Sequence, residues 1–413
     1  MVEEIAKKTK KASFKLQNAT TEEKNDALLK IKEALIEEKD KIMEANKIDV
    51  EKAKKNNLKS SLIDRLLITE KRFNSMVNGI DVVIELPDPC GEVIEEIRRP
   101  NGLLIKKVRV PIGVVGIIYE SRPNVTCDAT ILCLKSGNSV ILRGGSEAIN
   151  SNKTIVSAIR KGISRSVLPE DCVSFIDRPE RELVYKMLEL DEYIDLIIPR
   201  GSEQMIKAIK EKSKIPVIGH GKGLCHLYVD KDADIDMAVR ITLNAKVQRP
   251  GVCNAIETLL VHESIASEFL PKVQSELEKH NVELRGCEKT RKILTSIKDA
   301  TEEDWWTEYL DLILSIKIVE SVDEAISHIN FYGSKHSEAI VTNNNENAKK
   351  FLNYVDASTV YHNASTRFTD GGEFGMGAEI GISNQKLHAR GPMGLKELTT
   401  YKYVVYGNGQ IRE

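Results

Sequence analysis

Apolar residues recur at helical spacing from Glu3 to about Asn56, as in Ala27-Leu28-Leu29, Ile31, Ala34-Leu35 and Ile42, within a stretch rich in Ala, Lys, Glu and Leu. The spacing predicts a helical hairpin whose charges form a solvated face. Thr20-Thr21-Glu22-Glu23 is the start signal of its second helix. Near residue 100 the period changes. Residues 103–110 alternate as a strand, and 114–119 read as a buried one. Strands at 139–143, 173–176 and 194–198 then alternate with helices at 149–163 and 202–210. A second set follows, with strands at 225–229 and 255–261 and helices at 235–244 and 265–280, and further units run through 313–319, 322–330, 338–342 and 347–355. Such alternation predicts two α/β domains in tandem, each built on a parallel sheet covered on both faces. The tail, 398–406, is alternating and strongly β-prone, and with 101–110 it can form a projecting ribbon that needs a partner subunit to cover it.

The 413 residues, 41% hydrophobic and 30% charged, leave room for two or three domains. Sixty basic residues against 62 acidic ones give a formal charge of −2, so no global field recruits nucleic acid or an anionic membrane. The first residues are charged from Glu3 onward, and the longest nearly apolar run, 110–119, is interrupted by Pro111, Gly113 and Gly116. A soluble, cytoplasmic protein is expected. The cysteines at 90, 127, 133, 172, 225, 253 and 287 contain no C-x-x-C pair, which argues against a disulfide framework or a zinc ribbon. Neighbouring Cys225 and His226 would face opposite sides of a strand, and the eight histidines show no metal spacing. No G-x-G-x-x-G follows an expected strand, and no P-loop is present.

Candidate chemistry concentrates at Cys253. It stands in a loop between a helix and a strand, after the structure-breaking Pro250 and Gly251. Arg249 and Lys246 supply positive charge that would favour a thiolate. A buried structural cysteine is the alternative. Pro199-Arg200-Gly201-Ser202-Glu203 leads from strand to helix, where Gly201 and Ser202 could meet a pyrophosphate.

Three long strings carry a resemblance: VRVPIGVVGIIYESRPN at 108–124, NAKVQRPGVCNAIETLLVH at 244–262 and GGEFGMGAEIGISNQKLHARGPMGLKELTTYKYV at 371–404. They resemble the gamma-glutamyl-phosphate reductase family of the aldehyde dehydrogenase superfamily, and the similarity runs through nearly the whole chain in order. The resemblance implies an aldehyde dehydrogenase-like α/β fold with two parallel-sheet domains and a β-ribbon oligomerisation element. Residues 1–100 and 111–224 would bind NADP(H), 225–365 would form the catalytic domain, 101–110 and 395–413 the ribbon, and 366–394 a return segment contributing to the active site. It also implies a homo-oligomer, and leaves association with the glutamate kinase upstream open.

By the same resemblance Cys253 is the nucleophile. It would attack the γ-acyl phosphate of glutamate, expel phosphate and form a thioester that accepts hydride from NADPH, giving glutamate 5-semialdehyde, the second step of proline biosynthesis from glutamate. Asn124 matches the amide of the superfamily's oxyanion hole; a helix N-cap after Pro123 is its other reading. Arg143, with Ser146 beyond it, matches the position beside the adenosine ribose and would suit a 2′-phosphate; a surface ion pair is its other reading. Glu308 matches the glutamate that holds the nicotinamide ribose, while Trp305 and Trp306 read as packing. Oxidising relatives carry a water-activating glutamate where Ile218 stands here, which fits a reductase and argues against a cysteine hydrolase. His220 and Lys222, in a Gly-rich loop, are candidates for phosphate or substrate contacts, with a plain structural turn as the alternative. Arg122, Arg367, His388 and Arg390 are the cations available to the substrate's carboxylate and phosphate, and for each an ordinary salt bridge is the competing reading.

Overall fold

The structure is a computed structural model and describes residues 1–219 and 221–412, without the side chains of Ser60 and Ser61. It divides into two compact units, one holding Met1–Gly219, Gly375–Gly381 and Met393–Glu413, the other His220–Phe374 and Ile382–Pro392.

The first unit opens with α1 (Val2–Leu16), α2 (Thr21–Glu37) and α3 (Lys39–Lys55) where a hairpin was expected. The extra break falls at Glu38, at φ −96° and ψ 11°, with no glycine or proline to mark it, so the helical period runs through it unannounced. The expected start at Thr20 is a full capping box: Glu23 N–H donates to Thr20 Oγ1 at 3.2 Å, and Thr20 N–H donates to the Glu23 carboxylate at 2.8 Å. Two further helices, α4 (Ser60–Leu66) and α5 (Glu70–Glu85), lead to β1 (Val93–Arg98) and β2 (Leu104–Pro111).

The alternating segment follows as β3 (Val114–Tyr119), α6 (Asn124–Lys135), β4 (Ser139–Gly144), α7 (Ile149–Ile163), β5 (Val173–Phe175), α8 (Arg181–Leu188), β6 (Leu196–Arg200) and α9 (Glu203–Lys212). Four parallel strands lie in the order β5-β4-β3-β6, and every residue of β3 and β4 is buried, as a sheet covered on both faces requires. The last strand starts two residues later than the apolar run suggests, because Ile194 N–H closes a turn onto Leu190 C=O at 2.9 Å. Helices α2 and α7 meet at Gly162, where an added Cβ would stand 2.5 Å from Ile31 Cα. The chain moves outward from β3 to β4 and β5, then returns to the other side of β3 as β6. The strand order therefore reverses between β3 and β6, and in such folds ligands sit beyond the carboxyl ends of the strands at that place.

The second unit comprises β7 (Cys225–Val229), α10 (Ile235–Val247), β8 (Ile256–His262), α11 (Glu263–Glu278), β9 (Glu283–Gly286), α12 (Glu288–Ile293), β10 (Lys298–Asp299), β11 (Ile313–Val319), α13 (Val322–Tyr332), β12 (Ser337–Val341), α14 (Asn345–Tyr354) and β13 (Thr359–His362). These seven strands form a parallel sheet in the order β10-β9-β11-β8-β7-β12-β13. Its largest apolar cluster joins Leu227, Leu259 and Ile316 of the sheet to Phe269, Leu270 and Val273 of α11. A short pair, β14 (Ile382–Ser383) and β15 (Gly391–Pro392), closes this unit.

The chain ends in the first unit as β16 (Thr399–Tyr406), which pairs antiparallel with β2 from Thr399↔Pro111 to Tyr406↔Leu104. Strand β1 completes the ribbon on the other side of β2. Tyr401, Tyr403, Val405 and Tyr406 are exposed on it. Trp305 packs edge-on against His328, with ring centroids 5.6 Å apart, and Trp306 lies against Phe331 and Tyr332, as the packing reading had it.

Candidate active site

Cys253 lies half-buried in the loop between α10 and β8, at the amino edge of the second unit's sheet. The neighbouring strands start at the same edge. Cys225, the first residue of β7, donates its thiol to the Cys253 carbonyl at 3.1 Å, and a β-bulge between Cys225 and His226 accompanies the arrangement. An added Cβ on Gly223 would stand 2.5 Å from Cys253 Cα, so only glycine lets this strand entry lie against the loop. From the other side, the turn at Thr366–Phe368 clamps the loop. Thr366 donates to the Asn254 carbonyl at 2.7 Å, Asn254 Nδ2 donates to Thr369 C=O at 2.9 Å, and Arg367 donates to Gln248 Oε1 at 2.9 Å and to Asn254 Oδ1.

Burial separates the two adjacent thiols. Cys225 is wholly buried, and desolvation holds its thiol far above the ordinary range, so it stays a protonated donor. The same cause raises Cys127, Cys133 and Cys172, and takes the Cys90 thiol to about 11. Cys253 is left in a partly exposed, cation-rich loop.

Of the two expected cations, Lys246 is not available to the loop. Lys246 is fully buried and its Nζ is 2.5 Å from Glu257 Oε2, so its charge is taken by a core ion pair. Desolvation lowers the Lys246 ammonium and raises the Glu257 carboxyl to about 7. Arg367 adds positive charge beside the loop. Burial and then the charge of Arg249 lower its guanidinium, while a Cys253 thiolate acts in the opposite sense. Sequence reading found Arg367 but not this contact, because the residue arrives from a segment 114 positions downstream.

Glu308 accepts the Gly223 N–H at 2.9 Å, which ties the segment before β11 to the Gly-rich entry of β7. Leu310, at φ 54°, donates its N–H to Glu257 at 3.1 Å. Lys222 is half-buried in that entry, and His220 lies outside the described residues. His388 is exposed at φ 66°. Arg390 is engaged by Asp356 at 2.8 Å, which also takes Lys386 at 2.9 Å and Lys335 at 3.0 Å. Hydrogen bonds from these cations, Lys386 first, hold Asp356 far below the usual carboxylate range. For Arg390 the salt-bridge reading therefore describes the geometry.

In the first unit the candidates gather at the carboxyl ends of β3, β4 and β6. Asn124 is the first residue of α6, exposed, and does not cap it; its Nδ2 donates to Asp128 Oδ2 at 2.8 Å. Arg122 is half-buried, between Ser121 at φ 48° and Pro123. Arg143 is not a surface residue but is 8% exposed, with Nη2 on the Pro179 carbonyl at 2.8 Å. Its Nε is buried with no hydrogen-bond partner among the described residues. Desolvation lowers its guanidinium; Glu147 and Glu120 oppose that, and Arg181 adds to it. Arg181 is a neighbouring cation that sequence reading missed, since no local signal ties it to β4. Ser146 is exposed at the start of a short 3-10 turn after β4. At α9 the Ser202 N–H is already taken: Glu120 Oε2 accepts it at 2.9 Å, and an added Cβ on Gly201 would lie 2.5 Å from the same oxygen. An anion thus occupies this helix N-terminus, and the anion is the protein's own.

A cysteine loop on one parallel sheet and a set of anion-facing residues at the strand reversal of another define a class. The chain belongs to the aldehyde dehydrogenase family, whose model matches residues 1–311. Within it, relatives alike over nearly their whole length include gamma-glutamyl phosphate reductases. That of Caldanaerobacter subterraneus subsp. tengcongensis is 58% identical, with both chains covered completely, and that of Clostridium tetani is 59% identical over 98% of this chain and 97% of its own. The crystal structure of the gamma-glutamyl phosphate reductase of Thermotoga maritima superposes with a TM-score of 0.98 at 57% identity, covering 100% of each chain.

Proposed function

We propose that the chain reduces L-glutamyl 5-phosphate to L-glutamate 5-semialdehyde and phosphate, the second step of proline biosynthesis from glutamate. The observation that carries this is identity of 57–59% to gamma-glutamyl phosphate reductases along essentially the full chain. Cys253 is the nucleophile: its thiolate attacks the γ-carbonyl, the C–O bond to phosphate breaks, and a thioester remains. Arg367, beside the loop, favours the thiolate. Asn124 donates its amide N–H to the oxyanion that forms on the way in and on the way out. NADPH, when bound, supplies the hydride that reduces the thioester carbonyl. Cys253 then leaves as thiolate, and the aldehyde is released. Ile218, buried and apolar, supplies no base for water, so the acyl group is spared hydrolysis.

The residues fit an NADP 2′-phosphate. Arg143 has an orphaned buried Nε, and Arg181 adds a second positive charge nearby. Gly201 and Ser202 take the pyrophosphate once Glu120 turns aside, Ser146 borders the cofactor, and Glu308 holds the nicotinamide ribose. Lys222, His220, Arg122 and His388 are the cations offered to the substrate's anionic groups, while Arg390 is held back by Asp356 and orders the segment. The exposed tyrosines of the ribbon are covered by a second copy of the chain. No disulfide joins the seven cysteines among the described residues, which suits a reducing, cytoplasmic setting. No helix among the described residues is long and apolar enough to cross a membrane.

The test runs the reaction backwards with semialdehyde, NADP⁺ and phosphate. NADPH should form only when phosphate, or arsenate in its place, is present. Turnover that ignores phosphate would exclude the proposal.

A further inference from the structure

We infer that Asp128 is a positioning residue for Asn124, fixing which end of the Asn124 amide is offered to the reacting carbonyl oxygen; this rests on the reading of Asn124 as the oxyanion donor. The two residues stand one helical turn apart on α6, and Asn124 Nδ2 donates to Asp128 Oδ2 at 2.8 Å. An asparagine amide can present either its oxygen or its NH₂ group, and the two ends have nearly the same shape. An ionised carboxylate has no proton to give, so only the NH₂ end can face it. One N–H is then held by Asp128 and the other is directed outward as a donor. A protonated Asp128 loses this discrimination, because its O–H can donate to Asn124 Oδ1 with the amide turned over.

The surroundings suit that role. Asp128 is half-buried while Asn124 is exposed, so the anchor is more rigid than the group it holds. Burial raises the Asp128 carboxyl to about 6, and the Asn124 hydrogen bond and the charge of Arg200 hold it from rising further. Arg200, the last residue of β6, has a buried Nε with no hydrogen-bond partner among the described residues. Gly381 lies against it so closely that an added Cβ would stand 3.0 Å from Arg200 Cζ. Its charge offsets that of Asp128, so a developing oxyanion meets an oriented N–H rather than a net negative charge. On α6 itself, Cys127 is a buried thiol kept protonated by desolvation. Helices α2, α5 and α7 and strands β3 and β4 also pack on α6, and among the described residues they bring no charge that acts on Asp128.

Asp128→Asn removes the charge and keeps the shape. Its kcat should fall about ten- to hundred-fold, the scale of a misplaced oxyanion donor, while KM and NADPH affinity hold. The acid limb of the wild-type kcat profile, with activity lost as pH drops through about 6, should disappear. In an Asn124→Ala background the same substitution should cost nothing more. If Asn124→Ala is itself active, the oxyanion reading falls first. If Asn124→Ala is crippled but Asp128→Asn turns over normally, or the double variant loses the product of both effects, Asp128 has no such role. Should Asp128→Asn fail to bind NADPH or to melt cooperatively, the wild-type profile decides: a kcat flat between about pH 5 and 7 overturns the inference.

Discussion

Lys246→Met leaves the Glu257 carboxylate buried without its cation. In the native chain Lys246 Nζ is 2.5 Å from Glu257 Oε2 and 3.1 Å from the Ile256 carbonyl, and both side chains are wholly buried. Removing one partner of such a pair costs about 3–5 kcal/mol. The cost depends on pH, with a definite sign. Burial holds Glu257 at about 7 against an ordinary 4.5, even with Lys246 present. That difference corresponds to about 3 kcal/mol between the two protonation states. A carboxyl raised on folding binds its proton more tightly in the native state, so its stabilising contribution is whole below the unfolded value and disappears as pH climbs through the folded one. The wild type should therefore lose stability from this group between about pH 4.5 and 7, and the variant should go on losing it at higher pH. In urea titrations the gap between the two should be about 1–2 kcal/mol at pH 5, where only contacts are lost, and about 3–5 kcal/mol at pH 8.5. Adding Glu257→Leu should recover most of the difference. A gap under about 1 kcal/mol at pH 8.5, or a double variant no more stable than the single one, refutes the picture of a core ion pair beneath the cysteine loop.

Three smaller perturbations probe other contacts. Glu120→Gln weakens the protein's own anion at the Ser202 amide, so NADPH should bind about three- to tenfold tighter, and unchanged or weaker binding by fluorescence titration argues against pyrophosphate at α9. Arg143→Ala should lower the NADPH-over-NADH preference in kcat/KM about 10- to 100-fold, the range for a lost charge-assisted contact; an unaltered ratio removes Arg143 from the 2′-phosphate site. Gly162→Ala should cost about 1–3 kcal/mol by overpacking α7 against the Ile31 backbone, seen as a lower Tm with normal kinetics, and an unchanged Tm shows that the helices can part without penalty.

Much of the fold was legible because long periodic segments leave few choices. Helix α7 and strands β3 and β7 fall where the apolar pattern put them. Strand β1 was missed because Val93–Arg98 is mostly exposed and half charged; it pairs through its backbone without burying a face, and such a strand leaves no pattern. The hairpin became three helices because a one-residue break at Glu38 costs no hydrophobic register. At the site, Cys253 could be found from its loop and its resemblance, but the fate of neighbouring charges could not. Lys246 looks like a cation for the thiolate until the fold turns it inward onto Glu257, and Arg143 looks exposed until it is seen buried, with Nη2 on the Pro179 carbonyl. Asp128 was within reach, since a carboxylate four residues after Asn124 on a helix shares its face.

The role of Cys253 is tested most directly by acid-quenching the enzyme during slow turnover and mapping the peptide masses. One glutamyl group should be found on the peptide carrying Cys253 when NADPH is limiting, discharged when NADPH is in excess and never formed in Cys253→Ser. Steady turnover with that peptide unmodified, or undiminished activity after the Cys253 thiol has been alkylated, would contradict it.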